Sequence, residues 1–249
     1  MSTAPDRQLI RRGWYVHIFT TSGVVVGMMA LQAIFEMKPR AAIAFLLITQ
    51  LIDGIDGPMA RQIDVKTVIP KLDGYVLDLV IDYVTCVVVP AAFIHQFELL
   101  PADLSLAGTG LVVFLSAMWF SRTDMMTDDH WFNGFPATWN LAAPALYVMQ
   151  APQWVNAVVI VGLAMLMLTN VKFPHMMRSE QFRPLTLAAS AVLMGALTFG
   201  TWADGWSRAA TLALIAVYAY FFALSFWRTV IFPRRPVTTP AAATLTGFQ

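Results

Sequence analysis

Charged residues are scarce in this sequence. They make up 12% of its 249 residues, about half of the ~25% that a soluble domain carries. The formal net charge is only +1, which excludes the broad basic field of a nucleic-acid-binding protein. The single cysteine, Cys86, excludes an intrachain disulfide and is typical of a small buried hydrophobic side chain. Hydrophobic residues account for 58% of the chain, and together these numbers indicate a membrane protein.

Eight long apolar runs follow one another along the chain. They cover residues 14–36, 40–61, 73–97, 104–121, 135–150, 154–172, 183–201 and 206–231. Most of them approach the ~20 residues that a helix needs to cross about 30 Å of hydrocarbon. The runs are continuous rather than alternating, which favours helices over a barrel. We therefore predict an all-α integral membrane protein of about eight transmembrane helices, with one domain over 1–232 and a disordered Pro/Thr/Ala-rich tail over 233–249.

The basic residues predict the orientation of these helices. With eight spans and a cytoplasmic N-terminus, 13 of the 16 Lys and Arg residues fall in cytoplasmic segments and 3 on the opposite side. Both termini are therefore expected in the cytoplasm. The first run has no small-residue cleavage site after it, so we interpret it as a retained span rather than a signal peptide.

Four aspartates interrupt the apolar sequence, at the end of the second run and the start of the third. They are Asp53, Asp56, Asp78 and Asp82. A charged side chain at the bilayer centre costs about 2.5–3.5 kcal/mol, so function is the default explanation for such residues. The second span runs towards the cytoplasm and the third returns from it, so both pairs reach the same face. Spacings of three and four residues place each pair on one side of its helix, and the four carboxylates are expected to face one cavity.

Carboxylates at such close range cannot all stay ionised unless cations neutralise them. Oxygen ligands select Mg²⁺, Mn²⁺ or Ca²⁺, and paired metals that bridge phosphate oxygens serve displacement at phosphorus. Small residues at Gly57, Ala60 and Gly74 leave room for a ligand beside the backbone, and Arg61 suits a pyrophosphate. The other interpretation pairs the acids with Arg61 and Lys71 for helix packing, but it provides too few bases for four acids.

The pattern AspXXAspGlyXXAlaArg, followed by Gly-X3-Asp-X3-Asp, resembles the signature of the CDP-alcohol phosphatidyltransferases. Its eight positions here are Asp53, Asp56, Gly57, Ala60, Arg61, Gly74, Asp78 and Asp82. Most members have a shorter stretch between the Arg and the next Gly than the 12 residues found here, Gln62 to Asp73. This longer gap, together with the chain length and the number of apolar runs, resembles the bacterial branch of the family whose acceptor is choline.

The resemblance implies an enzyme that transfers the phosphatidyl group of CDP-diacylglycerol to choline and releases CMP. It places the protein in a bacterial inner membrane, with the active site on the cytoplasmic side. It implies Mn²⁺ or Mg²⁺, as two ions, with metal ligands Asp53, Asp56, Asp78 and Asp82. Asp82 would also be the general base for the acceptor hydroxyl. The expected CDP-binding residues are Asp53, Gly57, Ala60, Arg61 and Gly74.

Choline is a quaternary ammonium, which proteins usually bind in an aromatic cage with negative charge nearby. Tyr83 follows Asp82 directly, and aromatic residues flank a loop that carries Asp124, Asp128 and Asp129. The residues expected to contact choline are Tyr83, Trp119, Trp139 and Asn140. Interfacial aromatic belts are the competing explanation for the rings, and a solvated face is the competing explanation for the acids.

Two other functions fit parts of the pattern. The same chemistry with serine, inositol phosphate or glycerol phosphate as acceptor keeps the aspartate site, although phosphorylated acceptors would need more Arg or Lys near it. A cation transporter could use intramembrane carboxylates, but neither internal repeats nor broken midplane helices are visible. Gly23 and Gly27 form a small-XXX-small pattern that would suit a homodimer or packing within the chain.

Overall fold

A computed structural model describes residues 7–179 and 181–232 of the chain, so the tail predicted at 233–249 lies outside the described residues. This part is mainly helical. The helices are α1 (Arg7–Phe35), α2 (Pro39–Ile63), α3 (Val65–Val68), α4 (Gly74–Gln96), α5 (Ala102–Phe120), α6 (Trp139–Met149), α7 (Gln153–Leu166), α8 (Arg183–Trp202) and α9 (Arg208–Ile231). Two short strands, β1 (Trp131–Asn133) and β2 (Lys172–Pro174), pair antiparallel.

Six of the described helices are long and apolar enough to cross a membrane: α1, α2, α4, α5, α8 and α9. The prediction of an all-α membrane protein is therefore confirmed. Every predicted apolar run is helical, but α6 has 11 residues and α7 has 14. At about 1.5 Å per residue these two helices are shorter than the hydrocarbon core. By length, the structure thus supports six spans rather than the eight predicted.

Local sequence explains the shapes of the two helices that carry the aspartates. The side chain of Asp73 accepts hydrogen bonds from the backbone N–H groups of Tyr75 and Val76 at 2.9 and 3.3 Å, which caps the start of α4. Further along α4, residues 83–88 form a π-helical turn directly after Asp82. Pro90 follows this turn, and because proline has no N–H and crowds the preceding turn, it favours such a widening.

Helix α1 lies close against α2 and α4 because glycines face them. A Cβ atom at Gly27 would lie 3.0 Å from a methyl group of Thr85, and one at Gly23 would lie 3.5 Å from a methyl group of Ile81. The small-XXX-small pattern is therefore used for packing within the chain. The homodimer stays a prediction.

The two strands join the α5–α6 loop to the α7–α8 loop, at the end of the bundle where the aspartates lie. Trp131 pairs with Pro174, and Asn133 pairs with Lys172. The indole N–H of Trp119, at the end of α5, donates to the carbonyl of Asn133 at 2.7 Å. These loops therefore form a fixed cap on the helices.

The buried side chain of Arg228 holds this cap to α9. Its guanidinium donates to Asp129 at 3.0 Å, and the two side chains are only 4% and 22% exposed. It also lies over the ring of Trp131, 5.7 Å from the ring centre. A buried ion pair gives little net stability, but removal of one partner leaves a bare charge in a low-dielectric site.

We expect Asp129→Ala to lower the free energy of unfolding by about 3–5 kcal/mol, because Arg228 would lose its carboxylate inside the cap. Asp124→Ala is the matched control, since Asp124 pairs with Arg122 at 2.8 Å but is 60% exposed. That change should cost about 1 kcal/mol or less. Unfolding in detergent micelles measures both, and equal losses would contradict the special role of the buried pair.

Candidate active site

Three of the four predicted aspartates converge in one cluster. Carboxylate oxygens of Asp53, Asp78 and Asp82 all lie within 4.8 Å of one another. Asp53 comes from the second half of α2, whereas Asp78 and Asp82 lie one turn apart near the start of α4. Asp56 is buried beside them, with the Thr20 hydroxyl and the Gly57 backbone N–H as hydrogen-bond partners. The predicted convergence of two antiparallel helices is thus present.

The cluster has the chemistry of a divalent cation site. Oxygen ligands around one Mg²⁺ or Mn²⁺ ion, each about 2.1 Å from it, are separated by roughly 3–4 Å, and the three carboxylates come within 4.8 Å of one another. Within the described chain, no Lys or Arg side chain lies within 4.0 Å of these carboxylates as an ion pair. Cations would balance the charge of three partly buried acids that have no paired base.

Two successive hydrogen bonds connect α6 to the aspartate cluster. The amide of Asn140, which is fully buried on α6, donates to Gln50 at 3.0 Å. Gln50 in turn donates to a carboxylate oxygen of Asp53 at 3.1 Å. Asn140 therefore acts on the site through Gln50, whose hydrogen bond orients the carboxylate of Asp53.

Two cavities open beside the cluster. The larger one, about 670 Å³, lies between α1, α2 and the start of α4. The smaller one, about 210 Å³, lies between α2, α4 and the loop cap. The residues that line both are Asp56, Gly57, Arg61, Tyr75, Asp78 and Arg178. Asp53 and Asp82 line the smaller cavity and not the larger one.

The residues predicted to bind CDP surround the larger cavity, with one exception. Gly57, Ala60, Arg61 and Gly74 line it, whereas Asp53 faces the smaller cavity. A Cβ atom at Gly74 would lie 3.2 Å from the ring of His17, so this glycine lets α1 and α4 approach each other. His17 and Thr20 of α1 also line the larger cavity.

The four residues predicted to contact choline lie in different places. Trp119 lines the smaller cavity together with Phe120 and Phe132. Tyr83 lies behind this wall, where its ring packs edge-on against Phe120 and its hydroxyl donates to the Val113 carbonyl at 3.0 Å. Trp139 is fully buried, and its indole N–H donates to Ser116 at 3.0 Å. Asn140 lies behind Gln50, as described above.

The acids of the α5–α6 loop do not line either cavity. Asp124 accepts two hydrogen bonds from Arg122, at 2.8 and 2.9 Å, and these hold the pKa of Asp124 below its usual range. Asp129 pairs with Arg228. The negative charge that faces the smaller cavity therefore comes from the aspartates of α2 and α4.

His175 and Arg178 are site residues that the sequence did not single out. Both follow β2 and line the smaller cavity. The ring of His175 stacks on Phe132 at 5.2 Å, and burial, helped by the charge of Arg178, lowers its pKa to about 4. The imidazole is thus neutral at pH 7. Only folding brings these residues to the site, whereas Gln50 could have been found from its position one turn before Asp53.

Curated relatives cover most of this chain. It is 40% identical to the phosphatidylcholine synthase of Pseudomonas aeruginosa over 222 residues, which is 88% of this chain and 92% of the relative. It is 30% identical to the phosphatidylcholine synthase of Borreliella burgdorferi, over 87% of this chain and 94% of the relative. The phosphatidylcholine synthase of Agrobacterium fabrum is 35% identical over 73% of this chain and 75% of its own length. No protein-family model matches the chain.

We expect Asp78→Asn to weaken Mn²⁺ binding at least tenfold, because it removes one of the three converging carboxylates. Thermal unfolding with and without Mn²⁺ measures this. A cation at 100 times its Kd stabilises the wild-type protein by about 2.7 kcal/mol, and the variant should gain about 1.4 kcal/mol or less at the same concentration. Without the cation the variant should be at least as stable as the wild type, since one repulsive charge is gone.

Asp103→Asn is the control, because Asp103 is exposed at the far end of α5. A wild-type response to Mn²⁺ in Asp78→Asn, or an equal loss in both variants, would contradict a cation site at the cluster.

Proposed function

Because the chain belongs to the phosphatidylcholine synthase family, we propose that it transfers the phosphatidyl group of CDP-diacylglycerol to choline and releases CMP. One observation carries this proposal. Asp56 and Asp78 stand where the two cavities meet, while Asp82 lines the smaller, aromatic cavity and not the larger one. A donor in one cavity and an acceptor in the other would meet at the aspartates.

The larger cavity suits the cytidine diphosphate part of the donor. Its volume of about 670 Å³ accommodates a nucleotide, and Gly57, Ala60 and Gly74 leave the backbone accessible. Arg61 lies at the junction, where its guanidinium can bind the diphosphate. The lipid part of the donor would lie in the bilayer beside the helices.

The aspartates would hold two ions of Mn²⁺ or Mg²⁺, with Asp53, Asp56, Asp78 and Asp82 as ligands. Such ions neutralise phosphate oxygens and the charge that develops on the leaving group. The cluster of three carboxylates within 4.8 Å supports this assignment for Asp53, Asp78 and Asp82. Asp56, held by Thr20, would complete the set from the junction of the cavities.

Asp82 would act as general base. It takes the proton of the choline hydroxyl, whose oxygen then forms a bond to the phosphorus that bears diacylglycerol. The bond from this phosphorus to the oxygen that bridges the two phosphates breaks, and CMP carries that oxygen and the electron pair away. No covalent enzyme intermediate is needed.

The smaller cavity suits a quaternary ammonium. Trp119, Phe120 and Phe132 supply ring surfaces, which attract cations, and the nearby carboxylates supply negative charge. His175 adds no positive charge because it is neutral at pH 7. Three of the residues predicted to contact choline would act on it indirectly. Tyr83 would position Phe120, Trp139 would position α6, and Asn140 would position Asp53 through Gln50.

We place the site at the cytoplasmic face of a bacterial inner membrane, with both termini in the cytoplasm. Six crossings already give this orientation, because any even number returns the chain to the side where it began. We propose that α6 and α7 also lie in the bilayer. The exposed side of α7 supports this, because Val155, Val158 and Met165 on it are 49–73% exposed and apolar. Helix α6 is enclosed by protein, and its short length is tolerated there.

A phosphorylated acceptor and choline would use different residues of the site. Arg178 is an additional cation at the junction, and a phosphorylated acceptor such as inositol phosphate or glycerol phosphate could use it. The aromatic wall and the neutral imidazole favour choline instead, as do the names of the relatives. A cation transporter would leave the nucleotide-sized cavity without a role.

The acceptor is tested with the purified protein in detergent, supplied with CDP-diacylglycerol and Mn²⁺. We expect CMP release to depend on choline and to stay near background with serine, inositol phosphate or glycerol phosphate. Removal of the cation with a chelator should stop the reaction. Release only with a phosphorylated acceptor would overturn the choline assignment but leave the chemistry intact.

We expect Asp82→Asn to lower kcat by a factor of about 10²–10⁴, the usual contribution of a general base. The assay is run at saturating Mn²⁺, and CDP binding is measured in parallel by calorimetry. CDP should still bind, because Asp82 does not line the larger cavity. A loss of CDP binding as large as the loss of kcat would make Asp82 a metal ligand and nothing more.

A further inference from the structure

Arg178 enters the site from a part of the chain that the aspartate signature does not include. It lies in the turn after β2, where its backbone N–H donates to the His175 carbonyl at 3.3 Å. The next residue, Ser179, is 1% exposed, and its hydroxyl donates to the His130 carbonyl at 3.3 Å. The strand on one side and this bond on the other fix the position of the Arg178 backbone.

The side chain of Arg178 meets that of Arg61 at one point on α2. A Cβ atom at Gly57 would lie 3.2 Å from a guanidinium nitrogen of Arg61 and 3.7 Å from one of Arg178. Two like charges repel at this range, yet neither arginine has a carboxylate within 4.0 Å in the part of the chain described. Arg178 is also only partly exposed. Two convergent guanidinium groups without ion pairs are suited to bind an anion.

The position of Arg61 and Arg178 indicates which anion they bind. Both arginines line the larger and the smaller cavity, so they stand at the junction with Asp56 and Asp78. If the nucleotide occupies the larger cavity, its diphosphate must reach this junction for the bond to be cleaved. We propose, on the basis of the function proposed above, that Arg178 is a second diphosphate-binding residue, which binds the CDP-linked lipid together with Arg61.

Two other roles for Arg178 predict different contacts. A counter-ion for the aspartates would form a direct ion pair with one of them. In the described residues the charge of Arg178 acts on Asp53, Asp56 and Asp78, but no carboxylate of theirs lies within 4.0 Å of it. A cation that only attracts the anionic membrane surface would face the bilayer, whereas Arg178 lines both cavities. If Arg178 bound the acceptor instead, its removal would raise the KM for choline rather than the KM for CDP-diacylglycerol.

The test compares the affinities of Arg178→Ala for CDP, CMP and cytidine in the presence of Mn²⁺, by calorimetry on the purified protein. We expect CDP binding to weaken at least tenfold, CMP binding to weaken less, and cytidine binding to stay unchanged. The KM for CDP-diacylglycerol should rise, and the KM for choline should not. Arg178→Lys keeps the positive charge but loses the planar set of guanidinium N–H donors. It should therefore recover only part of the CDP affinity that Arg178→Ala loses.

Arg183→Ala is the matched control, because Arg183 is exposed at the start of α8 and lines neither cavity. An equal loss for CDP and cytidine, or a rise confined to the choline KM, would overturn the proposal. So would wild-type CDP binding in both Arg178 variants. Failure of the wild-type protein itself to bind CDP would instead contradict the proposed function. If Arg178→Ala does not fold, Arg178→Lys and Arg178→Gln give the same comparison.

Discussion

The convergence of three carboxylates inside an apolar helical bundle is the constraint on which the rest of the site depends. Two unit charges 4 Å apart repel by about 4 kcal/mol at an effective dielectric constant of 20, and Asp53, Asp78 and Asp82 form three such pairs within 4.8 Å. No ion pair relieves this repulsion in the described residues. Bound cations would relieve it, and the binding of metal would then be coupled to the stability of the helix pair that carries the acids.

Packing around the cluster keeps the acids from moving apart. Gly23 and Gly27 let α1 press against α4, and Thr20 on the same helix holds Asp56. On the other side, the chain from Asn140 through Gln50 fixes Asp53. The loop cap is held by the buried pair of Arg228 and Asp129. Carboxylates that repel one another are thus kept in place by contacts from α1, α6 and α9, which lie far apart in sequence.

The sequence predicted those features that depend on residue spacing along a helix and on the direction of successive helices. The helical runs and the convergence of Asp53, Asp78 and Asp82 followed from periodicity and alternating direction. Features that depend on tertiary contacts were not predictable. Nothing near Arg178 distinguishes it from other basic residues of cytoplasmic loops, and only the pairing of β1 with β2 brings it to Gly57. The run at 135–150 was already short in the sequence, whereas the short length of α7 was hidden because Met167 and Leu168 continue the apolar run past its end.

The two cavities explain how one cluster can serve a displacement between a donor and an acceptor. In a displacement at phosphorus, the attacking and leaving oxygens lie roughly in line on opposite sides of the transferred group. Asp82 lines the smaller cavity and not the larger one, so with Asp82 as the proposed base the hydroxyl would attack from that side. The leaving nucleotide would then depart into the larger cavity. Asp78 and Arg178 line both cavities, so the transferred phosphorus can be held between them throughout the reaction.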